Sequence, residues 1–531
     1  MKFRRLFRAA LLGGMLASVA ALATALPAQA DNTLRIKMTG SLGIIDPELT
    51  TSTPTRDMAY LVWDTLFATD ADYKVQPQMV GKYAISDDQK TYTLTLRDGL
   101  KWSDGTPVTP ADCIASLKRW MVKDSFGRLL AGELDHMEAV DDTTFKLVLK
   151  EPWGMTLQAL GKPGAYVPFM MPQRIADTPA DKAITEYVGS GPYMMKMDEF
   201  APGSKVVYVK NPYYVPRDEP ASFLAGGKVA KVDRIERIDF PDDVSAVNAL
   251  LAGEIDYMEG VPPDLLPTIE ASDTAEWYIR DHLGKSLQVV FNWAQPPFNN
   301  EKVRQAAVMA LSMKDIQQAY FGDNDKLYTL CPAVFFCGAP YETDINSEHV
   351  MKQDIEGAKA LLKEAGYNNE PVLVIHPTDA QDADAYMTVA VQNLRAAGFN
   401  VEDFATDTAT MFSRRTNNGP IADGGWSVFS TGWGGIDMMN PITNVFTKGA
   451  CDKGWFGWAC DDQLQQLSAA YVKAATPEEQ KDIAIKLQAR IYDVISFVPM
   501  GQNYIVVGRS KKLSGLIDGA VSTFWNVSKS D

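Results

Sequence analysis

A chain of 531 residues is too long to fold around one hydrophobic core, so its length predicts two or three domains. Hydrophobic residues make up 46% of the sequence and charged residues 22%, an ordinary composition for a globular protein with sizeable cores. The formal net charge of −16 argues against nucleic acid or an anionic membrane surface as the partner.

Residues 1–30 have the three parts of a secretory signal peptide. A cationic start, with Lys2 and three arginines, precedes an apolar run from Leu11 to Leu26. Ala28-Gln29-Ala30 then fits the small-x-small pattern that signal peptidase cuts, which would make Asp31 the first mature residue. We therefore expect export and a periplasmic location, and the loss of four positive charges would bring the net charge to −20.

An uncleaved membrane anchor is the alternative for this N-terminal segment. Its apolar run is shorter than the ~20 residues that cross a bilayer comfortably, and it ends in a cleavage site. No later segment of the sequence is apolar over a comparable length, so we expect no stable membrane insertion. Arg4 and Arg5 leave export by the twin-arginine route open, although the general route is favoured.

Short alternating segments predict strands in the first half of the chain. Thr91 to Leu96 and Phe145 to Leu149 alternate apolar with other side chains, which is typical of half-buried strands. Val206 to Val209 and Ile235 to Phe240 are further predicted strands, bounded by Pro and Gly.

Capping residues mark the helices of the second half. Asn300 precedes a segment with an apolar helical face, and Asp354 begins a predicted helix that Gly366 ends. Thr476-Pro477-Glu478-Glu479 combines a capping Thr, Pro at the first helical position and Glu three residues after the cap. We interpret the apolar faces of these helices as core and not as ligand sites.

Two extended segments are candidates for connections between lobes. Ser286 to Trp293 leads into Pro296-Pro297, and a second segment covers residues 498–508. Helices interspersed with such short strands predict α/β layers with a partly parallel sheet.

The five cysteines suit an oxidising compartment. Cys331 with Cys337, and Cys451 with Cys460, are close pairs that predict two disulfides. Cys113 lies in a segment that is predicted to be helical, and we expect it to be a buried free thiol. The pairs lack the two-residue spacing of zinc sites and the four His are isolated, so we expect no metal.

Motifs for covalent chemistry are incomplete in this sequence. Gly284-Lys285-Ser286 resembles the end of a phosphate-binding loop, but Ile279 stands where that loop needs its first Gly. Gly189-Ser190-Gly191 lacks the flanking residues of a nucleophile elbow. A secreted hydrolase stays the alternative class, but no His stands near a plausible nucleophile. We therefore expect neither enzymatic activity nor a cofactor.

The segment from Ile85 to Asp112, ISDDQKTYTLTLRDGLKWSDGTPVTPAD, carries the strongest resemblance to a known family. It resembles the hallmark strand–turn–helix of solute-binding protein family 5, the dipeptide- and oligopeptide-binding proteins that serve importers. Further segments resemble motifs of that family in the same order along the chain: Tyr60 to Phe67, Gly189 to Tyr193, Asn211 to Tyr214, Asn292 to Ala306, Ala358 to Tyr367, Phe429 to Pro441 and Val498 to Gly508. The resemblance spans essentially the whole mature chain.

The resemblance implies an α/β, two-lobed periplasmic-binding-protein (Venus-flytrap) fold with an extra subdomain in the first lobe. Lobe I would comprise residues 31–68, 186–288 and the C-terminal return 505–531. Lobe II would comprise residues 289–504, and the extra subdomain residues 69–185. The two lobes would close on a ligand that lies between them.

The resemblance also implies a role in transport. We expect a monomer that delivers a small solute to an inner-membrane ABC permease and its ATPase. A peptide of two to five residues is the favoured ligand. A sugar, an opine, a glutathione-like peptide or a metal chelate is the alternative, because relatives in the family carry such solutes.

Asp437 is the candidate partner of a ligand amine. In peptide binders of the family, an Asp after a Gly-Trp motif pairs with the α-amino group, and a buried ammonium needs such a carboxylate. In the segment Gly432 to Pro441 this Asp stands one residue later than usual, and Asn440 replaces the common acidic residue before Pro. The alternative is an Asp that merely caps the following turn.

Other candidate ligand contacts are basic or aromatic. Arg414 or Arg415 would bind a ligand carboxylate, with solvated surface charge as the alternative. An aromatic wall beside the ligand is the second expectation, with core packing as the alternative. Its members, with the glycine that follows the Gly-Trp motif, are Trp426, Trp433, Gly434, Trp293 and Tyr60.

Overall fold

The computed structural model describes residues 32–40 and 42–530, so the predicted signal peptide lies outside the described residues. Helices and strands alternate along much of this part of the chain. The helices are α1 (Thr53–Val62), α2 (Pro110–Lys123), α3 (Ser125–Glu133), α4 (Thr156–Leu160), α5 (Gln173–Ala176), α6 (Asp243–Leu251), α7 (Leu266–Glu270), α8 (Glu301–Ala310), α9 (Met313–Phe321), α10 (Glu348–Met351), α11 (Ile355–Glu364), α12 (Gln381–Ala396), α13 (Thr408–Arg414), α14 (Gly435–Met438), α15 (Asp462–Lys473) and α16 (Pro477–Val494). The strands are β1 (Thr33–Lys37), β2 (Phe67–Thr69), β3 (Val75–Pro77), β4 (Val80–Ile85), β5 (Thr91–Leu96), β6 (Leu134–Ala139), β7 (Thr144–Leu149), β8 (Tyr193–Met195), β9 (Lys205–Lys210), β10 (Arg234–Ile238), β11 (Tyr257–Glu259), β12 (Ala275–Phe291), β13 (Tyr328–Thr329), β14 (Pro371–Pro377), β15 (Asn400–Thr406), β16 (Val428–Gly434), β17 (Val498–Pro499), β18 (Gln502–Ser510), β19 (Leu513–Ser514) and β20 (Ser528–Lys529).

A large mixed sheet runs through the described part of the molecule. Its strands lie in the order β15-β14-β16-β12-β18-β11-β1-β10-β9-β8, with β13 joined to β18 and β17 joined to β12. Parallel pairs occur toward both ends, where β1 pairs with β10 and β11, and β14 pairs with β15 and β16. The long antiparallel pair β12–β18 connects the two halves. The α/β class with a partly parallel sheet is therefore confirmed.

Burial of β14 explains why its sequence is so apolar. Val372 to Pro377 are buried without interruption, and helices α12 and α13 pack against the strand. Parallel strands that are covered on both faces need such continuous apolar runs. The residues of β14 thereby form part of the core of one half of the sheet.

A separate four-stranded antiparallel sheet has the order β4-β5-β7-β6. Side chains of β5 and β7 alternate between buried and half-buried, as predicted for these two strands. This sheet has a hydrophobic core of its own, which includes Trp102, Trp120 and Phe145. It lies within the predicted extra subdomain, whose boundaries at residues 69 and 185 stay a prediction.

The β12 strand passes from one half of the large sheet to the other. Ala275 to Asp281 pair with β18, and Lys285 to Phe291 pair with β16, with register shifts on both sides of Asp281. The strand therefore begins earlier than the sequence analysis placed it, at Ala275 instead of Ser286. Charged residues within its first half obscured the strand pattern. The predicted boundary between residues 288 and 289 falls inside β12 and stays a prediction.

Several local features that the sequence predicted are confirmed. The side chains of Asn300, Asp354 and Thr476 each accept a hydrogen bond from a backbone amide in the first turn of α8, α11 and α16. Both predicted disulfides form, Cys331–Cys337 with an S–S distance of 2.08 Å and Cys451–Cys460 with 1.99 Å. Cys113 is a fully buried free thiol in α2.

Candidate ligand-binding cleft

A cleft of about 800 Å³ lies between the two halves of the large sheet. One wall consists of the end of β1, the start of α1, and parts of β11 and β12. The end of β16, α14 and the start of α12 form the opposite wall. Its volume is typical of sites for small molecules. The charged side chains that line the cleft are Lys37, Arg56, Asp57, Asp243, Glu259, Arg280, Asp281, Lys285, Asp379, Asp382 and Asp437.

Asp437 reaches from α14 toward the loop between α4 and α5. β16 ends at Gly434 and α14 begins at Gly435, so the Asp437 side chain follows directly after the strand leaves the sheet. Its Oδ1 atom accepts a hydrogen bond from the Ala165 backbone amide at 3.0 Å. A Cβ atom on Gly164 would overlap this oxygen, so glycine leaves room for the carboxylate. Within the described residues Oδ2 has no hydrogen-bond partner and is free to accept one.

Two buried ion pairs lie at the base of the cleft. Arg56 Nε donates to Asp57 Oδ1 at 2.9 Å, and Arg280 Nη2 donates to Glu259 Oε1 at 2.9 Å. Burial raises the pKa of Asp57, although Arg56 opposes the shift. Burial also acts to raise the pKa of Glu259, but Arg280 and Ser522 lower it below its ordinary value overall. Mutual pairing offsets part of the cost of burying these groups, because an unpaired charge is costly at this depth.

Asp281 lies beside these pairs on β12. Its side chain lines the cleft and is only 4% exposed. Oδ1 accepts a hydrogen bond from the Leu283 backbone amide at 2.9 Å. No residue in the described part of the chain forms an ion pair with this carboxylate. It is therefore a buried carboxylate that the protein itself leaves without a cationic partner.

Cations toward the edge of the cleft already have carboxylate partners. Lys37 Nζ lies 2.8 Å from Asp243 Oδ1, and Lys285 Nζ lies 2.7 Å from Asp382 Oδ2. The second pair joins β12 to the first turn of α12, which belong to opposite walls. These lysines are consequently less available to a ligand anion than an unpaired cation would be.

Trp433 forms the aromatic part of the wall beside Asp437. Its ring lies 5.9 Å from Phe446 and 5.9 Å from Trp455, both edge-on. Trp455 belongs to the loop that the Cys451–Cys460 disulfide closes, so this loop supports Trp433 from behind. Of the predicted contacts, Trp433, Gly434 and Asp437 thus lie together in the cleft.

The structure places Trp426 in the core instead of the cleft. The side chain is fully buried, its ring lies 4.7 Å from Phe429, and its Nε1 donates to the Arg415 carbonyl at 3.2 Å. Trp426 and Trp433 are seven residues apart on an extended segment, a distance of roughly 20 Å. Closeness in sequence to the Gly-Trp motif therefore does not bring Trp426 to the ligand side.

The two predicted arginines also lie away from the cleft. Arg414 donates from Nη2 to the Gly425 carbonyl at 2.9 Å, and its guanidinium lies 4.2 Å from the ring centre of Phe404. Arg415 stacks over Phe412 at 4.4 Å. Burial lowers the pKa of Arg415. Both side chains pack the end of α13 against neighbouring residues, and neither lines the cleft.

Trp293 and Tyr60 likewise make contacts within the protein. Trp293 Nε1 donates to the Ile495 carbonyl at 3.2 Å, and the Arg304 guanidinium lies 3.5 Å from its ring centre. Tyr60 is 2% exposed, and its hydroxyl donates to the Pro163 carbonyl at 3.2 Å. Tyr60 supports the loop that contacts Asp437 without lining the cleft itself.

The charged residues at the base of the cleft were not predicted from the sequence. Arg56 and Asp57 lie in α1, and Arg280 and Asp281 lie in the half of β12 that was not predicted. Each pair is an adjacent cation and anion inside an element whose other residues are mostly buried. That pattern was available in the sequence, because charged residues in a buried element need a partner or a ligand.

A second cavity of about 520 Å³ lies on the other side of the contact between Asp437 and Ala165. Ile436 lines both cavities, and the second also includes Tyr73, Tyr341 and the first residues of α16. Its lining mixes apolar side chains with polar and charged ones. The contact between Asp437 and Ala165 thus separates the two cavities.

Neither a membrane span nor a metal-binding cluster occurs among residues 32–40 and 42–530. Every helix there falls short of the length and apolarity that a bilayer crossing requires. The same residues contain no group of three or more His, Cys, Asp or Glu side chains arranged to hold a metal ion.

Comparison with known proteins identifies the family. The sequence model described as "Bacterial extracellular solute-binding proteins, family 5 Middle" matches residues 74–454, well over half of the chain. The chain belongs to this family. A probable peptide ABC transporter periplasmic-binding protein of Sinorhizobium fredii is 36% identical over 531 residues, which cover 99% of both chains. This family 5 protein is thus a solute-binding transport protein, as the resemblance implied.

Solved structures confirm the two-lobed fold. The periplasmic binding protein AgaA of A. tumefaciens R10, in complex with agropinic acid, is 21% identical with a TM-score of 0.74 and covers 94% of this chain and 99% of its own. The binding protein DppA of Helicobacter pylori, in complex with the peptide STSA, is 19% identical with a TM-score of 0.74 and covers 94% and 98%. At these identities the likeness concerns the fold alone.

Proposed function

We propose that this family 5 protein is the periplasmic binding component of an ABC importer and that it binds a short peptide between its lobes. The α-amino group of the peptide pairs with Asp437, and Trp433 and Gly434 form the adjacent wall. The bound protein delivers the peptide to an inner-membrane permease that an ATPase drives. The protein acts as a monomer, without a cofactor and without covalent chemistry.

The observation that carries this proposal is the geometry of Asp437. One carboxylate oxygen is held by the Ala165 amide, and the other has no partner within the described residues. A fixed, half-buried carboxylate with one free oxygen is suited to a primary ammonium, which donates up to three hydrogen bonds. The peptide transporter relative from Sinorhizobium fredii supports the same ligand class.

An opine or another non-peptide amine is the second candidate. Asp437 stands one residue later after the Gly-Trp motif than in the peptide binders that this sequence resembles. The similar fold of the binding protein in complex with agropinic acid supports a non-peptide ligand as the alternative.

Binding of matched peptides tests the assignment of Asp437. Native mass spectrometry of protein purified without refolding will identify any retained ligand. Isothermal titration calorimetry will then compare a tripeptide with its N-acetylated form in the wild type and in Asp437→Asn, which keeps the acceptor for the Ala165 amide. We expect acetylation or the substitution to weaken binding by at least about tenfold, since either removes the charge pair.

Asp142→Asn is the matched control, because Asp142 is exposed in a turn outside the cleft. Full affinity of the acetylated peptide, or of Asp437→Asn, would overturn the role of Asp437. Release of amino acids from an offered peptide would overturn the proposal that the protein is not an enzyme. N-terminal sequencing of the protein from a periplasmic extract checks the predicted cleavage before Asp31.

A further inference from the structure

The charges at the base of the cleft do not balance. Four carboxylates, those of Asp57, Glu259, Asp281 and Asp437, lie near only two guanidinium groups. The side chains of all four carboxylates and of Arg56 and Arg280 line the same cleft. Two of these carboxylates therefore have no guanidinium group of their own.

The pairing within this group identifies which carboxylates remain. Asp57 forms an ion pair with Arg56, and Glu259 forms one with Arg280, both at 2.9 Å. Glu259 additionally accepts a hydrogen bond from the Ser522 hydroxyl at 2.7 Å. Asp437 and Asp281 receive only backbone amides, from Ala165 and Leu283 respectively.

Asp281 is the more deeply buried of the two. It is 4% exposed and lines the cleft on β12, whereas Asp437 is half-buried on α14. A buried carboxylate without a cationic partner is costly, and proteins keep such groups chiefly where a ligand or another group compensates them. The register shifts on both sides of Asp281 interrupt regular pairing with β18 at this residue. Bulged strands of this kind re-aim side chains beside binding sites.

We infer that Asp281 binds a second cationic group of the ligand, so that the physiological solute carries at least two positive charges. This inference rests on the proposed function, in which Asp437 binds the first. For a peptide, the second cation is the side chain of a Lys or Arg residue. The other cleft cations cannot take this place, because Lys37 and Lys285 are paired with Asp243 and Asp382.

Peptides that differ only in charge test the inference by isothermal titration calorimetry. The pairs place Lys, or its uncharged analogue norleucine, at the first, second or third position of a tri-alanine peptide. We expect at least one Lys peptide to bind at least about tenfold more tightly than its norleucine match. This advantage disappears in Asp281→Asn, which retains an oxygen for the Leu283 amide, and persists in the control Asp142→Asn.

Thermal unfolding without ligand distinguishes a ligand contact from a structural role. Removal of an uncompensated buried charge leaves the melting temperature of Asp281→Asn unchanged or raises it. A structural role for the carboxylate predicts a lower melting temperature together with a similar loss of affinity for Lys and norleucine peptides. That combined result would overturn the inference.

The remaining outcomes separate the inference from the proposed function. If each Lys peptide binds as tightly as its norleucine match and Asp437→Asn weakens binding of both, the proposed peptide function is supported and the role of Asp281 is overturned. If no peptide binds, 1,5-diaminopentane is the second probe. If the wild type binds this diamine and Asp281→Asn does not, the result supports a dicationic ligand and overturns the proposal that the ligand is a peptide. Absence of binding by both probes overturns the inference.

Discussion

At the scale of single residues, the contact between Asp437 and the loop at Gly164 is the most specific feature of the cleft. The carboxylate is oriented by the Ala165 amide at 3.0 Å, and the absent side chain at Gly164 makes this approach possible. The sequence motif indicated Asp437 alone. Its partner lies 272 residues earlier and carries no motif, because what it supplies is a backbone amide and an empty space.

Gly164→Ala is therefore expected to weaken ligand binding without unfolding the protein. The new methyl group would displace the Asp437 carboxylate from its position, and a displaced carboxylate pairs poorly with an amine. We expect a dissociation constant about tenfold higher for the ligand that the wild type retains, measured by calorimetry.

Gly132→Ala is the matched control for this prediction. Gly132 lies in α3, and a Cβ atom there meets no atom within 4 Å. Alanine at this helical position stabilises by up to about 1 kcal/mol and leaves affinity unchanged. Equal affinity of Gly164→Ala and the wild type would show that the position of Asp437 does not govern binding.

At the scale of elements, the hallmark strand–turn–helix has a structural explanation. Thr109 and Asp112 form a capping box at the start of α2, with Pro110 at the first helical position. Asp112 also accepts hydrogen bonds from the Trp102 indole at 3.3 Å and from the Gln173 amide at 2.7 Å. One carboxylate thereby joins the turn, the helix and α5. The motif that identifies the family so clearly lies outside the cleft.

The Gly189-Ser190-Gly191 segment is likewise explained by packing. A Cβ atom on either glycine would overlap a backbone carbonyl of α1, at Val62 or Leu61. This close approach fixes α1, which carries Arg56 and Asp57 to the cleft. The sequence predicts no nucleophile elbow here, and the structure gives a packing reason for the two glycines.

The Cys451–Cys460 loop provides the prediction at this scale. The disulfide closes a short loop that holds Trp455 against Trp433, 5.9 Å away in the cleft wall. We expect Cys451→Ser with Cys460→Ser to lower the free energy of unfolding by about 2.5 kcal/mol, the loop-entropy value for nine residues. Ligand affinity should also fall, because the support behind Trp433 loosens.

Urea unfolding and calorimetry measure these two effects. The double variant Cys331→Ser with Cys337→Ser is the control, since its disulfide lies outside the aromatic group behind Trp433. We expect it to lose stability and to keep its affinity. An unchanged affinity in both double variants would contradict a role of the Cys451–Cys460 loop in the cleft wall.

At the scale of the whole molecule, a buried ion cluster joins the N-terminal part of the chain to α2. Arg119 Nη2 lies 2.7 Å from Asp46, and Nη1 lies 2.9 Å from Glu48. Two carboxylates thus share one guanidinium. Burial raises the pKa of Glu48 to about 8, with Arg119 opposing the shift and Asp46 adding to it.

This raised pKa predicts how global stability depends on pH. Unfolded Glu48 ionises near its ordinary pKa of 4.5, so the folded state holds the extra proton between about pH 4.5 and pH 8. Stability from this group is complete below that window and is lost as the pH rises through it. Glu48→Gln cannot ionise and still accepts a hydrogen bond from Arg119.

Urea unfolding at about pH 5 and about pH 8 tests this prediction. The free energy of unfolding of the wild type, relative to Glu48→Gln, should fall by about 3 to 4 kcal/mol over this range. Glu254→Gln is the control, because Glu254 is exposed. Parallel pH profiles for the wild type and Glu48→Gln would rule out Glu48 as the titrating group.

Much of the fold was predictable because its signals are local. Alternation predicted β5 and β7, and capping residues predicted the start of α16 at Thr476. The first half of β12, around Arg280 and Asp281, was not predicted as a strand, because a strand that lines a charged cleft departs from the apolar pattern of a core strand.

The sequence by itself determined the family, the α/β class, both disulfides and the candidacy of Asp437, since each depends on residue types at fixed spacing. The tertiary structure decided which side chains reach the cleft. In the folded chain, Trp426, Trp293, Arg414 and Arg415 make packing contacts outside the cleft, whereas charged residues from α1, β11 and β12 lie together in it. Partners separated by hundreds of residues meet only when strands cross between lobes, so charge balance in the cleft is a property of the folded chain.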